Sequence, residues 1–244
     1  MNPTREVLVP RYLVRPKASL ATRGINFAGR RLHARARGGQ LQAMAELRRT
    51  DPFYDEIRRW VAQAPGEAVR PLSGMEVEST PITGTKVLHM SEEVAQRLRD
   101  EVEGVEVIVE RVMELIRPEM VTASTKEVLD EGDPWHLAAV GLGARGGGKG
   151  VTVLVLDTGV EAAHPEIEGR VAGAFTFDVD TWSASPQQPS ADTEGHGTHV
   201  AGLIAGRTVG VAPEARLVNG VMIPGGIGKT SDFILAIEWA GSQP

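Results

Sequence analysis

The chain predicts an α/β fold: a parallel-sheet layer structure over residues 126–244, preceded by a smaller α+β region over residues 49–125. Three observations carry that expectation. Residues 151–157, "VTVLVLD", form an unbroken β-branched apolar run, which suits a central parallel strand covered on both faces. Downstream of it, strand-like and helix-like stretches alternate, the order that builds a sheet flanked by helices. Upstream, residues 86–110 read as strand, helix and strand within one short unit.

Each element has a local reason. Residues 1–48 are basic and rich in Gly and Arg, a partly flexible region with one short strand expected at "RYLVR". "DPFYDEIRRWVAQA" places Phe53, Ile57, Trp60 and Val61 at helical spacing. Lys86–Met90 is a short apolar strand. Ser91 is suited to cap a helix whose first turn carries Glu92 and Glu93, carboxylates that complement the positive helix end. Val94, Leu98 and Val102 share one face of that helix, and Gly104 closes it. Val105, Val107 and Val109 then alternate with Glu106, Ile108 and Glu110 in strand fashion. Two short strands and a helix bury little by themselves, so this unit is expected to pack on something else. "GLGARGGGKG" reads as a flexible joint. Further strands are expected at "RVAGAFTFD" and "ARLVNGVMI", and helices at "THVAGLIAG" and "SDFILAIEWA".

Composition narrows the function classes. Apolar residues make up 41% of the chain, enough for a sizeable core. Cysteine is absent, which excludes disulfides, thiolate metal ligands and a cysteine nucleophile. No apolar run is long enough to span a bilayer, and the first residues lack the apolar segment of a secretory signal. The expectation is a cytoplasmic protein without a membrane partner, secretion remaining open if a leader precedes residue 1. Charge is uneven: residues 1–49 carry eleven Arg and Lys against two Glu, whereas the rest carries 15 basic and 30 acidic residues. A basic arm such as "GRRLHARARGG" suits nucleic acid or an anionic membrane surface. It lacks interleaved aromatics and any nucleic-acid motif. A solvated arm attracted to the acidic remainder is the expectation, with no nucleic-acid partner.

Several motifs imitate ligand sites. "GGIGKT" spells part of a phosphate loop, but the glycine that shapes G-x-x-x-x-G-K-[ST] falls on Ile223. "GLGARG" fits G-x-G-x-x-G yet precedes a strand instead of following one, and "GARGGGKG" has Gly150 where a magnesium-binding hydroxyl is required. The chemistry concentrates elsewhere. Asp157 ends the apolar strand, the position where ligands and catalytic groups collect in open α/β sheets. By itself it reads equally as a turn cap ahead of Thr158-Gly159. "HGTHVAG" supplies a partner: Gly195 and Gly197 leave the backbone beside His196 unencumbered, at the start of a helix. A histidine held by a buried carboxylate is the general-base half of a serine protease triad. The metal alternative for His196 and His199 lacks the i, i+4 spacing and the Glu of H-E-x-x-H, so no metal site is expected, and His199 reads as a packed structural residue.

"GKGVTVLVLDTGVEAAHPEI", "EGHGTHVAGLIAG", "VGVAPEARLVNGVMI" and "SDFILAIEWA", in that order from Gly148 to Ala240, resemble the subtilisin-like serine proteases. "DPWHLAAVGLGA" is similar to the segment that leads into that family's catalytic domain. The resemblance implies the front part of a subtilisin-like, three-layer parallel-sheet domain and a serine-type endopeptidase acting on peptide or protein substrates. Asp157 and His196 match two triad members. Gly226, Ile227 and Gly228 match the loop whose backbone pairs with an extended substrate, so Lys229-Thr230 is a coincidence of spelling. The strand–helix–strand unit is similar to the second half of the family's propeptide, a small α+β domain that blocks the cleft, although such units are common. The family's serine lies in a downstream G-T-S-M-A-type motif that residues 1–244 do not contain, as they do not contain its oxyanion asparagine. Ser231 and Ser242 have no such context. The chain alone is therefore expected to be inactive, and an inhibitory or binding module is the alternative. "AGRTVGVAP" is too short for the calcium-binding insertion of many relatives. Glu166 matches an acidic calcium ligand, and calcium remains open on that single carboxylate.

Overall fold

The computed structural model describes residues 10–17, 42, 45, 48–49, 51–64, 69–71, 80–116, 135–142, 147–188 and 192–243. The basic arm "GRRLHARARGG", residues 143–146 of the glycine-rich joint and the region boundaries expected at residues 125 and 126 lie outside them. The chain divides into two compact units. One comprises residues 1–111, 178–183 and 230–244, the other residues 112–177 and 184–229.

In the first unit the strand expected at "RYLVR" is β1, Arg11–Pro16. Helix α1, Pro52–Gln63, follows Asp51, whose side chain accepts the Phe53 N–H. Strands β2 (Val69–Pro71), β3 (Lys86–Met90) and β4 (Val105–Val109) complete a sheet of order β2-β3-β1-β4. Helix α2, Glu92–Glu101, connects β3 to β4 and is capped by Ser91 through the Val94 N–H. β1 pairs antiparallel with both β3 and β4, so it occupies the gap the β3-α2-β4 crossover leaves open. That is what the unit packs on.

The period-2 pattern of β1 explains its central place. Tyr12 and Val14 face a core with Phe53, Tyr54 and Ile57 of α1 and Ala95 and Leu98 of α2. Leu13 faces the other way, in a cluster with Val87, Val179 and Ile234. Ile234 lies on α5, Thr230–Ser242. On the same helix the buried Glu238 accepts the N–H groups of Ile82 (3.0 Å) and Thr83 (2.6 Å).

In the second unit, β6 (Thr152–Asp157), β7 (Val171–Asp178), β8 (Ser183–Gln187) and β9 (Arg216–Val221) form a sheet of order β6-β9-β7-β8. β9 runs parallel to both β6 and β7. Parallel strands joined through helical segments are the mark of an α/β domain. Helix α4, His196–Ala205, packs Ala201 and Ala205 on Val155 and Leu217. A short helix α3, Trp135–Ala139, lies earlier in the chain. The expectation for β6 needs correcting in one respect. Among the described strands it stands at the end of the sheet order, not between two others, and Val153, Leu154 and Leu156 are half buried. A smaller antiparallel pair joins β5 (Val112–Glu114) to β10 (Ile227–Lys229). Among the described residues no helix is long and apolar enough to cross a membrane.

Two polar anchors hold loops to these layers. Arg48, buried at 4% exposure, donates to Tyr54 Oη (2.8 Å), the Pro81 carbonyl (2.7 Å) and the Ile82 carbonyl (2.8 Å). Glu166 accepts the Thr208 hydroxyl (2.5 Å) and the N–H groups of Thr208 (2.8 Å) and Val209 (3.4 Å), tying down the loop after α4. Burial would raise the Glu166 pKa, but the Thr208 and Val209 hydrogen bonds and nearby His164 together hold it below 4.5.

Arg48→Met removes the donors to the buried Tyr54 hydroxyl and to the half-buried Pro81 and Ile82 carbonyls, and is expected to destabilise the first unit by about 3 kcal/mol. A lower denaturant midpoint, with faster amide exchange at residues 80–84, checks this. The lowered Glu166 value means its contribution is complete above the unfolded-state pKa and is lost as pH falls through the folded-state one. The Thr208 amide resonance should accordingly titrate with an inflection below 4.5, and Glu166→Gln should abolish that titration. An inflection at or above that value would contradict the assignment.

Candidate active site

Parallel strands end on the same side of a sheet, and there the backbone of β6 meets the segment after β9. The Asp157 carbonyl accepts the N–H groups of Met222 (2.8 Å) and Ile223 (3.3 Å). The Asp157 side chain is buried and accepts the Thr158 N–H at 2.7 Å. Its two oxygens lie 2.8 and 2.9 Å from His196 Nδ1. An ionised carboxylate only accepts, so Nδ1 carries the proton and Nε2 is left as an acceptor. The His196 side chain keeps 35% exposure against 11% for Asp157, so the ring has an open side while its partner does not. Such a pair can take a proton at Nε2 from a hydroxyl placed against it, with the carboxylate supporting the resulting imidazolium.

The local sequence explains how the ring arrives there. His196 is the first residue of α4, preceded by Gly195 in the left-handed region at φ 78°. A Cβ at residue 197 would lie 1.9 Å from the Gly159 carbonyl oxygen, so only glycine lets the first turn of α4 approach the end of β6. The Gly197 N–H donates to Thr158 Oγ1 at 3.0 Å, which closes the contact.

Sequence reasoning missed the residue that organises this turn. Asp192 Oδ1 accepts the Thr158 hydroxyl (2.7 Å) and the N–H groups of Glu194 (3.1 Å) and Gly195 (2.9 Å). Its Oδ2 accepts the Thr198 N–H (2.9 Å) and the Thr198 hydroxyl. Burial acts to raise the Asp192 pKa, and the bonds from Thr198, Thr158 and the backbone more than offset it, so the group sits below its ordinary value. An Asp just ahead of a helix start was the available signal. Thr193 adds a link to the next loop, its Oγ1 accepting the Gly225 N–H at 2.8 Å.

The other candidate residues fall in distinct places. Ile227 and Gly228 lie on β10, and Gly226 ends the 3-10 turn before it. β10 pairs with residues of this same chain: Ile227 opposite Glu114, Gly228 opposite Met113, and Lys229 opposite Val112. The Gly226 carbonyl accepts the Leu115 N–H at 2.8 Å. A Cβ at residue 228 would meet the Met222 carbonyl oxygen at 2.4 Å, so this glycine serves close backbone packing. His199 is not packed as expected. It is exposed, three residues beyond His196, and lines an open pocket with Glu161 and His164. Glu166 accepts hydrogen bonds from Thr208 and Val209 on both of its oxygens, so among the described residues it has a role within the chain that does not call on calcium. Among the described residues no group of three or more His, Asp or Glu is arranged to hold a metal ion.

Comparison with known proteins covers the same stretch of the chain. Residues 148–244 match the model of the subtilase family. Subtilisin-like protease 7 of Trichophyton verrucosum is 31% identical over 211 residues, covering 78% of this chain and 48% of that protein. Subtilase-type proteinase psp3 of Schizosaccharomyces pombe is 43% identical over 99 residues, covering 39% of this chain and 20% of that protein. A cold-adapted subtilisin-like serine proteinase of known crystal structure is 36% identical, over 40% of this chain and 33% of that one, with a TM-score of 0.32. The chain thus spans about half the length of one relative and about a fifth of another. Over residues 148–244 it carries part of a subtilase-family domain.

Proposed function

We propose that this chain is part of a serine endopeptidase of subtilisin type, with His196 as general base and acid and Asp157 as the carboxylate that orients it. The observation that carries the reading is the contact of His196 Nδ1 with both Asp157 oxygens, 2.8 and 2.9 Å, at the carboxyl end of a parallel strand. The two relatives named above are described as proteases, which supports it. In this reaction His196 Nε2 takes the proton of a serine hydroxyl as that oxygen attacks the peptide carbonyl. It then returns the proton to the departing amine. That serine belongs to a G-T-S-M-A-type motif, absent from residues 1–244. The pair of Asp and His alone supplies neither nucleophile nor oxyanion donors, so residues 1–244 by themselves are proposed to be inactive.

Residues 226–228 are proposed to bind the extended substrate. The support is that β10 already accepts an extended antiparallel segment, residues 112–115, as a peptide would add to an open strand. The same ladder favours a second reading, in which residues 49–125 act as a propeptide-like inhibitory module. A segment seated on the substrate strand competes with substrate for the same backbone groups. Hydrogen-bonded pairs alternate in an antiparallel ladder, so the Leu115 contact with Gly226 assigns Met113 and Gly228 to the next such pair.

The catalytic reading is tested by grafting residues 148–244 into the corresponding segment of an intact subtilase. The chimera should hydrolyse protein substrate, and Asp157→Asn should lower kcat by about 10⁴-fold, the loss known for other triad enzymes, subtilisin among them. His196→Ala should lower it at least as far, while residues 1–244 alone stay unlabelled by a fluorophosphonate. Full activity in either chimera variant would overturn the assignment. For the inhibitory reading, residues 1–244 added to an intact subtilase should inhibit it, and Met113→Pro, which deletes a ladder donor, should weaken inhibition about tenfold. Equal inhibition by the variant would exclude β5 as the blocking segment.

A further inference from the structure

We propose that Asp192 is the positioning residue of the Asp157–His196 pair, fastening the turn that bears His196 to the strand end that bears Asp157. The proposal rests on the reading of Asp157 and His196 as a catalytic pair. One carboxylate reaches both sides. Toward the strand, it accepts the Thr158 hydroxyl at 2.7 Å, and the Thr158 N–H in turn holds Asp157 Oδ1 at 2.7 Å. Toward the helix, it accepts the N–H groups of Glu194, Gly195 and Thr198 and the Thr198 hydroxyl. Thr158 Oγ1 completes the bracket by accepting the Gly197 N–H at 3.0 Å. His196 therefore sits between residues 195 and 197, each of which is pinned directly or through Thr158 to the same carboxylate.

The chemistry requires a carboxylate at this position. The first N–H groups of a helix have no partner within the helix, and Gly195 has no side chain to supply one. Five donors converge on two oxygens, and an ionised carboxylate offers about four acceptor sites with no donor of its own. Asparagine offers one accepting oxygen, and its amide would turn N–H groups toward the Thr198 N–H and hydroxyl. The negative charge at the positive end of α4 adds to the preference. Orientation matters more than contact here: His196 serves as a base only while Nδ1 points at Asp157, and small misplacements of such a group are costly.

The test uses residues 1–244 labelled with ¹⁵N-histidine and reads the Nδ1-bound proton of His196. In the wild-type chain that proton should resonate far downfield and exchange slowly with water, and Asp157→Asn should remove it. Asp192→Asn should accelerate its exchange about tenfold or more while His199, on the same helix, keeps its signals. Thr198→Val, which removes one of the five donors to Asp192, together with the acceptor of the Glu161 N–H, and keeps the side-chain shape, should give a smaller acceleration and is the variant to read if Asp192→Asn does not fold. Wild-type protection of the His196 proton in a folded Asp192→Asn chain, or in Thr198→Val where the former does not fold, would overturn the proposal. So would equal disturbance of His196 and His199, which would reduce Asp192 to a general stabiliser. A His196 proton insensitive to Asp157→Asn would instead bring down the catalytic pair itself, and its positioning residue with it.

Discussion

The contact between the first turn of α4 and the end of β6 is the constraint on which the site depends. A Cβ on residue 197 would overlap the Gly159 carbonyl oxygen at 1.9 Å, so the helix start could not come down on the strand with any other residue there. With glycine it can, and three things follow together. Gly197 N–H finds Thr158, His196 Nδ1 finds Asp157, and Ala201 and Ala205 reach Val155 and Leu217 further along the same helix. Packing and chemistry thus share one origin. The helix is held close by small apolar residues along its length and by hydrogen bonds at its start.

Much of this was legible in the chain because the signals were local. The run at residues 151–157 announced a strand, Ser91 announced a helix start, and two glycines around a histidine announced an unencumbered backbone at another helix start. The partnership of Asp157 with His196 spans 39 positions and was reached through a motif resemblance together with the strand-end rule. What stayed hidden depended on long-range pairing. Nothing in "RYLVR" says that it lies between residues 86–90 and 105–109, since that place is set by which strands the α2 crossover leaves apart. Asp192 was overlooked because its partners Thr158 and Thr198 sit on different elements, and its role exists only once they are adjacent. His199 was misjudged for the opposite reason. With the metal motif set aside it was read as a packed residue, yet the face it occupies on α4 is turned outward.

The pairing of β5 with β10 shows how backbone alone can define a surface. Its contacts are those of any antiparallel ladder, and Val112 and Ile227 remain largely exposed, at 63% and 59%. Little apolar area is buried there, so the association draws on hydrogen bonds and on the chain connectivity of its two strands. A strand held in that manner exchanges partners more readily than one held by a core, because few side-chain contacts must be broken first.

Glu166 bears on a different matter, the dependence of a loop on its surroundings. A corner held by a bound ion gains stability that rises with the logarithm of ion concentration and vanishes when the ion is sequestered. A corner held by a side chain of the same molecule has its ligand at a fixed effective concentration that dilution does not change. The loop after α4 is of the second kind, its Thr208 and Val209 donors being met by a carboxylate 42 and 43 residues earlier. This corner answers to protons, because protonation of Glu166 withdraws the acceptors that its Thr208 and Val209 donors meet.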